Sequence, residues 1–314
     1  MPAAAAAALP READRSCTVS GAPAALMLDV RGALAAVLAI TLTGCVIVPD
    51  AQRMITRSDN GGTDVELRPC SGRLDDARAA VASAVPLDAQ NVRIASWNLH
   101  KGADDGWQAD LARIAAANDI VLLQEALLDD DLESTLDAAG LRWQLAGSFT
   151  LNGRDAGVLT AARVRPLAAC TQWSLEPILA LPKSTLVTRF QLPGRKTLAI
   201  ANLHAINFTL SAGGAYRHQL EAVRAELATH RGPIVFAGDF NTWNDGRRGA
   251  VEAVARELGL APVAFRPDVR QRFAGHEVDY IYVRGLEVIA ATSIEVVSSD
   301  HNPVFATLRV VPGD

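Results

Sequence analysis

The chain has 314 residues, 49% hydrophobic and 21% charged, with both signs of charge present. That composition supports a buried core and excludes disordered, collagen-like and coiled-coil chains, disulfide miniproteins and polytopic membrane proteins. A formal charge of −5 and an aromatic content of 5% also argue against a dedicated nucleic-acid binder, which carries a basic face.

Residues 1–26 are Ala-rich and without periodicity, and Met27 heads a more ordinary leader than Met1, which would leave those residues untranslated. The longest apolar run, Gly32 to Gly44, at ~1.5 Å per residue falls well short of a ~30 Å hydrocarbon core. With Arg31 ahead and small residues behind, residues 1–44 read as a secretory leader. Leu42-Thr43-Gly44-Cys45 resembles the lipobox of bacterial lipoproteins. The resemblance implies cleavage before Cys45, diacylation of its sulfur, and a domain tethered to a bacterial envelope membrane outside the cytoplasm. Cys17 is then lost and Cys45 taken by lipid. Cys70 and Cys170 remain in an oxidising compartment, where they are expected to pair, the alternative being two separate buried thiols.

Residues 45–90 contain Asp59-Asn60-Gly61-Gly62, little β pattern and a short helical stretch near Leu74 to Ala84; they read as a tether leading into the domain. From residue 91 to 314, β-rich runs alternate with amphipathic segments, which is an α/β pattern without a dividing linker. Strands are expected at Val92–Trp97, Ile120–Gln124, Gly157–Ala162, Thr185–Leu192, Thr197–Leu203, Ile234–Ala237, Val278–Val283 and Val304–Val310. Helices are expected at Trp107–Ala117, Asp130–Ala139, Tyr216–Thr229 and Arg248–Leu258; in the third, Leu220, Val223 and Leu227 form a core-facing stripe.

Several apolar strands end abruptly in polar groups: Trp97-Asn98, Gln124-Glu125, Asn202-Leu203-His204 and Gly238-Asp239-Phe240-Asn241. Val278-Asp279-Tyr280 and Ser299-Asp300-His301-Asn302-Pro303 follow. Groups at neighbouring strand ends of an α/β sheet can converge on one cleft. Carboxylates with an amide carbonyl and no sulfur form a hard, all-oxygen set suited to Mg²⁺ or Mn²⁺. Asp279 inside an apolar strand would be costly to bury unpaired, and His301 is its expected partner. Asp239 and Asn241 also fit an Asx turn, and Asp300 a turn cap.

Taken in order, these segments resemble the endonuclease/exonuclease/phosphatase superfamily, metal-dependent phosphoesterases related to DNase I, abasic-site endonucleases, neutral sphingomyelinases and inositol polyphosphate 5-phosphatases. The resemblance covers about residues 91–310. It implies a DNase I-like four-layer α/β sandwich of two packed mixed sheets flanked by helices. It also implies a metal at Asn98, Glu125 and Asp300, a phosphate-binding or leaving-group role for His204, and a water-orienting pair in Asp239 and Asn241. Asp279 would pair with the terminal histidine, His301. His100 and Lys101 either reach a phosphate or head group or lie in a solvated turn. One departure is Ala162, which stands before Arg163 where the family usually carries serine.

The implied activity is phosphodiester hydrolysis by in-line attack of water. The substrate stays open between DNA or RNA, a phospholipid head group as in sphingomyelinases, and a small phosphodiester; a non-catalytic envelope binding protein is the reading from another class. Arginines such as Arg247, Arg248, Arg270 and Arg272 do not assemble into an assignable nucleic-acid face, His218, His230 and His276 read as surface or packing residues, and no protein partner is expected. No Gly-x-Ser-x-Gly elbow, Walker A loop or dinucleotide fingerprint is present.

Overall fold

The computed structural model describes residues 45–72, 85–209 and 214–312. Its strands are β1 (Val46–Ile47), β2 (Met54–Arg57), β3 (Thr63–Glu66), β4 (Val92–Asn98), β5 (Ile120–Leu127), β6 (Arg142–Leu151), β7 (Arg154–Ala162), β8 (Ala168–Leu175) and β9 (Pro182–Gln191). They continue as β10 (Thr197–His204), β11 (Ile234–Asp239), β12 (Ala261–Pro262), β13 (Arg272–Phe273), β14 (His276–Glu277), β15 (Asp279–Arg284), β16 (Leu286–Ser293) and β17 (Val304–Val310). The helices are α1 (Trp107–Ala117), α2 (Asp130–Ala138), α3 (Gly214–Ala228) and α4 (Asp245–Glu257).

One sheet has the order β16-β17-β4-β5-β7-β6-β2-β3, with β1 beside β6; the other has the order β12-β15-β11-β10-β9-β8. In the first sheet β4 and β5 run parallel, and in the second β10 and β11 do; the neighbours of these pairs run antiparallel. Alternation along single strands makes the layers. In β4, Val92 and Ile94 point to the space between the sheets, where they meet Ile200, Val235 and Ile281. Ala95 and Trp97 point the other way, onto Leu111 and Ile114 of α1 and Leu132 and Leu136 of α2. On the second sheet Ala201, Leu203 and Phe236 face outward onto Leu220, Val223 and Leu227 of α3 and Val251 of α4. The result is the four-layer α/β sandwich that the resemblance implied. Each fully buried Leu or Ile in it contributes about 1.5–3 kcal/mol by leaving water.

Helix starts are set by side-chain caps: Asp129 accepts from Leu132 N and Asn244 from Arg247 N, both at 2.9 Å. The α1 and β17 boundaries agree with those read from the sequence, and the other expected elements differ by a few residues at their ends.

The tether reading requires correction. Residues 46–66 form β1, β2 and β3, and β2 pairs with β6, Met54 opposite Ala146, so this segment extends the first sheet. Its strands are two to four residues long and β3 is wholly exposed, so no alternation marks them in the sequence. Strands β6, β8 and β16 were not anticipated either. β6 is broken by a bulge between Gly147 and Phe149, and β16, at the sheet edge, exposes four consecutive side chains, Glu287 to Ala290. The leader at 1–44 and the helical stretch near Leu74 to Ala84 lie outside the described residues. Among the described residues, no helix is long and apolar enough to cross a membrane.

Cys70 and Cys170 are disulfide-bonded, with their Cα atoms 4.8 Å apart. A bridge between the two segments, Pro69 beside Thr171, positions them. Cys45 is also disulfide-bonded. Its sulfur is therefore not a free thiol in this structure.

Candidate active site

Strand register brings the polar ends together. Asn98 stands opposite Gln124 in the first sheet, His204 opposite Asp239 and Asp239 opposite Asp279 in the second. Glu125 follows Gln124 at the β-bulge between Leu123 and Ala126, with φ +50°, and the bulge re-aims its side chain. The two sheets are joined across the rim by Asn98 Nδ2, which donates to Asp239 Oδ2 at 3.0 Å.

On one side of the cleft, His301 Nδ1 hydrogen-bonds Asp279 Oδ2 at 2.8 Å, and His301 Nε2 lies 4.0 Å from Asp239 Oδ2. Burial alone would lower the His301 pKa, but the Asp279 carboxylate overrides it and raises the imidazole to about 10. Burial, opposed by the charge of His301, pushes Asp239 up to about 6. The Asp239 carboxylate accepts from Asn241 N at 2.9 Å, and Asn241 Nδ2 donates to Ala205 O at 3.0 Å and to Asp239 Oδ2 at 3.3 Å. Both amide hydrogens of Asn241 are thus engaged, so this residue holds Asp239 in place instead of presenting a donor to the cleft. The Asx turn and the functional pair are one arrangement, with φ +49° at Asn241, a conformation Asn tolerates well.

On the other side, Lys101 Nζ pairs with Glu125 Oε2, Lys183 Nζ lies 4.0 Å from Glu125 Oε1, and His204 Nε2 lies 3.6 Å from that oxygen. Burial would raise the Glu125 pKa, yet the two ammonium groups hold it well below the usual carboxylate range. His204 is shifted the opposite way from His301: burial and the Lys183 charge keep it well below its ordinary value. Lys183 Nζ is 3.0 Å from His204 Nε2, and an ammonium can only donate, so Nε2 of the neutral ring accepts. His204 therefore accepts at Nε2 in this structure and does not donate there.

Asn98 is buried, with Oδ1 accepting from His100 N at 3.1 Å. Asp300 is exposed on the rim, 3.8 Å from His100 Nδ1, which pairs more closely with Asp104 at 2.8 Å. The structure therefore brings Asn98, Glu125, His204, Asp239, Asn241, Asp279 and His301 together, with Lys101 against Glu125, and leaves Asp300 and His100 at the edge. Among the described residues, no three acids or imidazoles of this site have ligand atoms all within 4.8 Å of one another. The residues nonetheless fit a divalent ion in kind. Asn98, Glu125 and Asp300 offer only oxygen, and Glu125 is an ionised carboxylate whose charge already draws two cationic side chains.

Supporting contacts fix the strand ends. Ser299 Oγ donates to Asn98 O at 2.7 Å, and Trp97 Nε1 donates to His301 O at 2.9 Å. Gln124 Nε2 donates to Asn202 Oδ1 across the sheets at 2.6 Å, and Gln219 Nε2 donates to His204 O at 3.0 Å.

The comparisons with known proteins agree with this geometry. The endonuclease/exonuclease/phosphatase family model matches residues 95–301. A curated relative, UPF0294 protein VP2298 of Vibrio parahaemolyticus, is 38% identical over 215 residues, covering 68% of this chain and 76% of its own. This chain belongs to the endonuclease/exonuclease/phosphatase family. A solved member from Beutenbergia cavernae superposes with a TM-score of 0.53 at 21% identity, covering 71% of this chain and 72% of its own. The structure of ANGEL2, described as a 2′,3′-cyclic phosphatase, superposes with a TM-score of 0.54 at 15% identity, covering 70% and 95%. At those identities the likeness establishes the DNase I-like fold of the family.

Two residues of this family member were missed by sequence reading. Lys183 is the second residue of β9, in Pro182-Lys183-Ser184-Thr185, and this strand, which also carries Thr188, Arg189 and Gln191, offers no local signal that sets the lysine apart. Arg247, noted in the sequence only as a scattered arginine, is buried. It donates to Ile206 O at 2.6 Å and Asn241 O at 3.1 Å and lies between the Tyr216 and Trp243 rings. It braces the two loops that follow His204 and Asp239.

Proposed function

We propose that this chain is a divalent-metal-dependent phosphodiesterase that cleaves its substrate by in-line attack of water. The observation that carries the reading is the placement of the Asp279-held His301 and Asp239 on one side of the cleft and of Glu125 with its cationic partners on the other. Enzymes of the family are generally divalent-metal dependent, and here Glu125, with Asn98 and Asp300, would hold Mg²⁺ or Mn²⁺. Such an ion, when bound, polarises a non-bridging phosphoryl oxygen and eases departure of the leaving oxygen.

The remaining chemistry belongs to the chain. Asp239, oriented by Asn241 and Asn98, aims the attacking water at phosphorus and takes its proton. His301, kept charged by Asp279, donates to a phosphoryl oxygen as negative charge grows there. Lys183 supplies the same assistance from the opposite side, with His204 holding its ammonium. Lys101, alongside Glu125, adds a second cation within reach of a phosphate.

The lipobox adds a location: a mature chain starting at an acylated Cys45 and held to a bacterial envelope membrane. Mass measurement of the N-terminal peptide of the protein extracted from membranes tests that part.

Hydrolysis of bis(p-nitrophenyl) phosphate tests the chemistry. Turnover with Mg²⁺ or Mn²⁺ and its loss in EDTA and in Glu125→Ala are expected. His301→Ala should lower the rate by roughly 10²- to 10³-fold, the cost of removing one donor to developing negative charge. Metal-independent turnover, or near-native turnover by His301→Ala, overturns the proposal. A panel of plasmid DNA, abasic duplex, sphingomyelin, glycerophospholipids and inositol phosphates then assigns the substrate.

A further inference from the structure

The described fold begins at Cys45, and that residue is fastened to the tip of the β6–β7 hairpin. Asn152 N donates to Cys45 O at 2.8 Å and Cys45 N to Asn152 Oδ1 at 2.9 Å, and β1 continues the pairing with Val46 opposite Leu151. The tip lies at the catalytic end of the sandwich, because β7 runs antiparallel to β5 with Gly157 opposite Ala126, beside Glu125. Cys45 therefore lies at the rim that holds the active site.

The loops of that rim carry exposed apolar side chains. The turn ahead of Lys183 presents Leu175, Ile178 and Leu179, each 44–58% exposed. Buried Glu176 in the same turn accepts from Phe208 N, which lays the loop after His204 against it and adds the exposed Phe208 ring. On the β13–β14 hairpin ahead of β15 Phe273 is 60% exposed, and on the loop leading to β17 Val297 is 94% exposed. Isolated exposed apolar residues are ordinary on protein surfaces. Here they sit on four loops at one end of the molecule, with Lys101 and Lys183 recessed beside Glu125 in the cleft at that end.

We infer that this rim docks on a phospholipid bilayer, the six apolar side chains entering the boundary between head groups and acyl chains, with the catalytic cleft turned toward the head groups. A bilayer is the occupant that fits because the residue read as the anchor, Cys45, lies at the same rim, and apolar side chains on an anchored domain then reach a depth of about 5–10 Å. In this respect the inference rests on the anchored phosphodiesterase reading.

The test uses the full chain carrying Phe208→Trp and, as a control at the far end of the sandwich, Ile289→Trp. Each is mixed with phosphatidylcholine/phosphatidylglycerol vesicles that contain brominated acyl chains. The added emission at position 208 is expected to shift to the blue and to be quenched at least twofold, while that at 289 is unchanged. A second variant, Leu175→Ser/Ile178→Ser/Leu179→Ser, should lose at least tenfold in hydrolysis of vesicle-borne phospholipid and keep its turnover of bis(p-nitrophenyl) phosphate. Equal quenching at both positions, absence of quenching at 208, or unchanged vesicle hydrolysis by the serine variant overturns the inference. So does a concentration-dependent dimer that the serine substitutions dissociate, which would assign the surface to a second copy. Failure of the parent reading looks different: a wild-type chain without metal-dependent turnover of the soluble diester, or an unacylated N-terminus, whatever position 208 reports.

Discussion

Two histidines at strand-end positions of the same cleft are driven to opposite charge states by their neighbours. His301 has Asp279 on its Nδ1 and is kept charged; His204 has Lys183 on its Nε2 and is kept neutral. The site therefore presents a cation on each side, His301 and Lys183, with Asp239 between. Removing the Lys183 charge tests its weight. A hydrogen bond from a charged donor is worth about 1.5–3 kcal/mol, so Lys183→Met should lower kcat/KM about 10- to 100-fold, with partial recovery in Lys183→Arg. A loss confined to thermal stability, without a kinetic effect, would place Lys183 outside the chemistry.

At the scale of elements, the rim depends on close strand approach. A Cβ on Gly238, where φ is +137°, would lie 2.0 Å from Leu203 O on the parallel neighbour β10, immediately before the His204–Asp239 pair. Gly238→Ala should therefore cost about 2–5 kcal/mol through overpacking and backbone strain, read as a fall in the denaturant midpoint. It should also impair turnover, since β10 and β11 separate where His204 faces Asp239. The β4–β5 pair is anchored differently. Asp119, just ahead of β5, accepts from Arg93 N at 2.9 Å, Nε at 3.0 Å and Nη2 at 2.7 Å. Burial would raise the Asp119 pKa, but the Arg93 hydrogen bonds outweigh it and hold the carboxyl below its ordinary value. A depressed folded-state pKa gives stability that is present above the unfolded value, about 3.9, and is lost as pH falls through the folded value. The thermal midpoint of Asp119→Asn should lie below wild type at neutral pH, and the gap should close on acidification below about pH 4. A pH-independent gap would mean that the charge is not what stabilises this corner.

At the scale of the whole molecule, the cleft exists because two sheets close on each other. Asn98 and Glu125 come from the first sheet, His204, Asp239 and Asp279 from the second, and the Asn98–Asp239 and Gln124–Asn202 hydrogen bonds are the seams. The Cys70–Cys170 bridge ties the segment after β3 to β8 across a sequence separation of 100. Closing a loop of that length constrains the unfolded chain by up to about 4.7 kcal/mol in the chain-entropy model. Reduction should lower the unfolding free energy by about 2–5 kcal/mol in guanidinium titrations, and an unchanged midpoint under reductant would show that the bridge is energetically idle.

The sequence by itself determined the α/β alternation, the four helices, most of the strands around the site, and the chemical identity of its side chains. Hydrophobic period and abrupt polar strand ends are local properties, written wherever a strand or helix buries one face. It also supplied Asp279 as the partner of His301, because an acid within an apolar strand must be paired. Tertiary structure alone decided the rest. Edge strand β3 is wholly exposed, and its inner neighbour β2 buries the consecutive Met54 and Ile55, so neither carries the period-2 alternation that marks a strand in sequence. Lys183 reaches Glu125 and His204 only when β9 lies beside β10 with the sandwich closed. Which histidine is charged, and which way Glu125 points, follow from partners and a bulge far apart along the chain, and such distances are fixed only by packing.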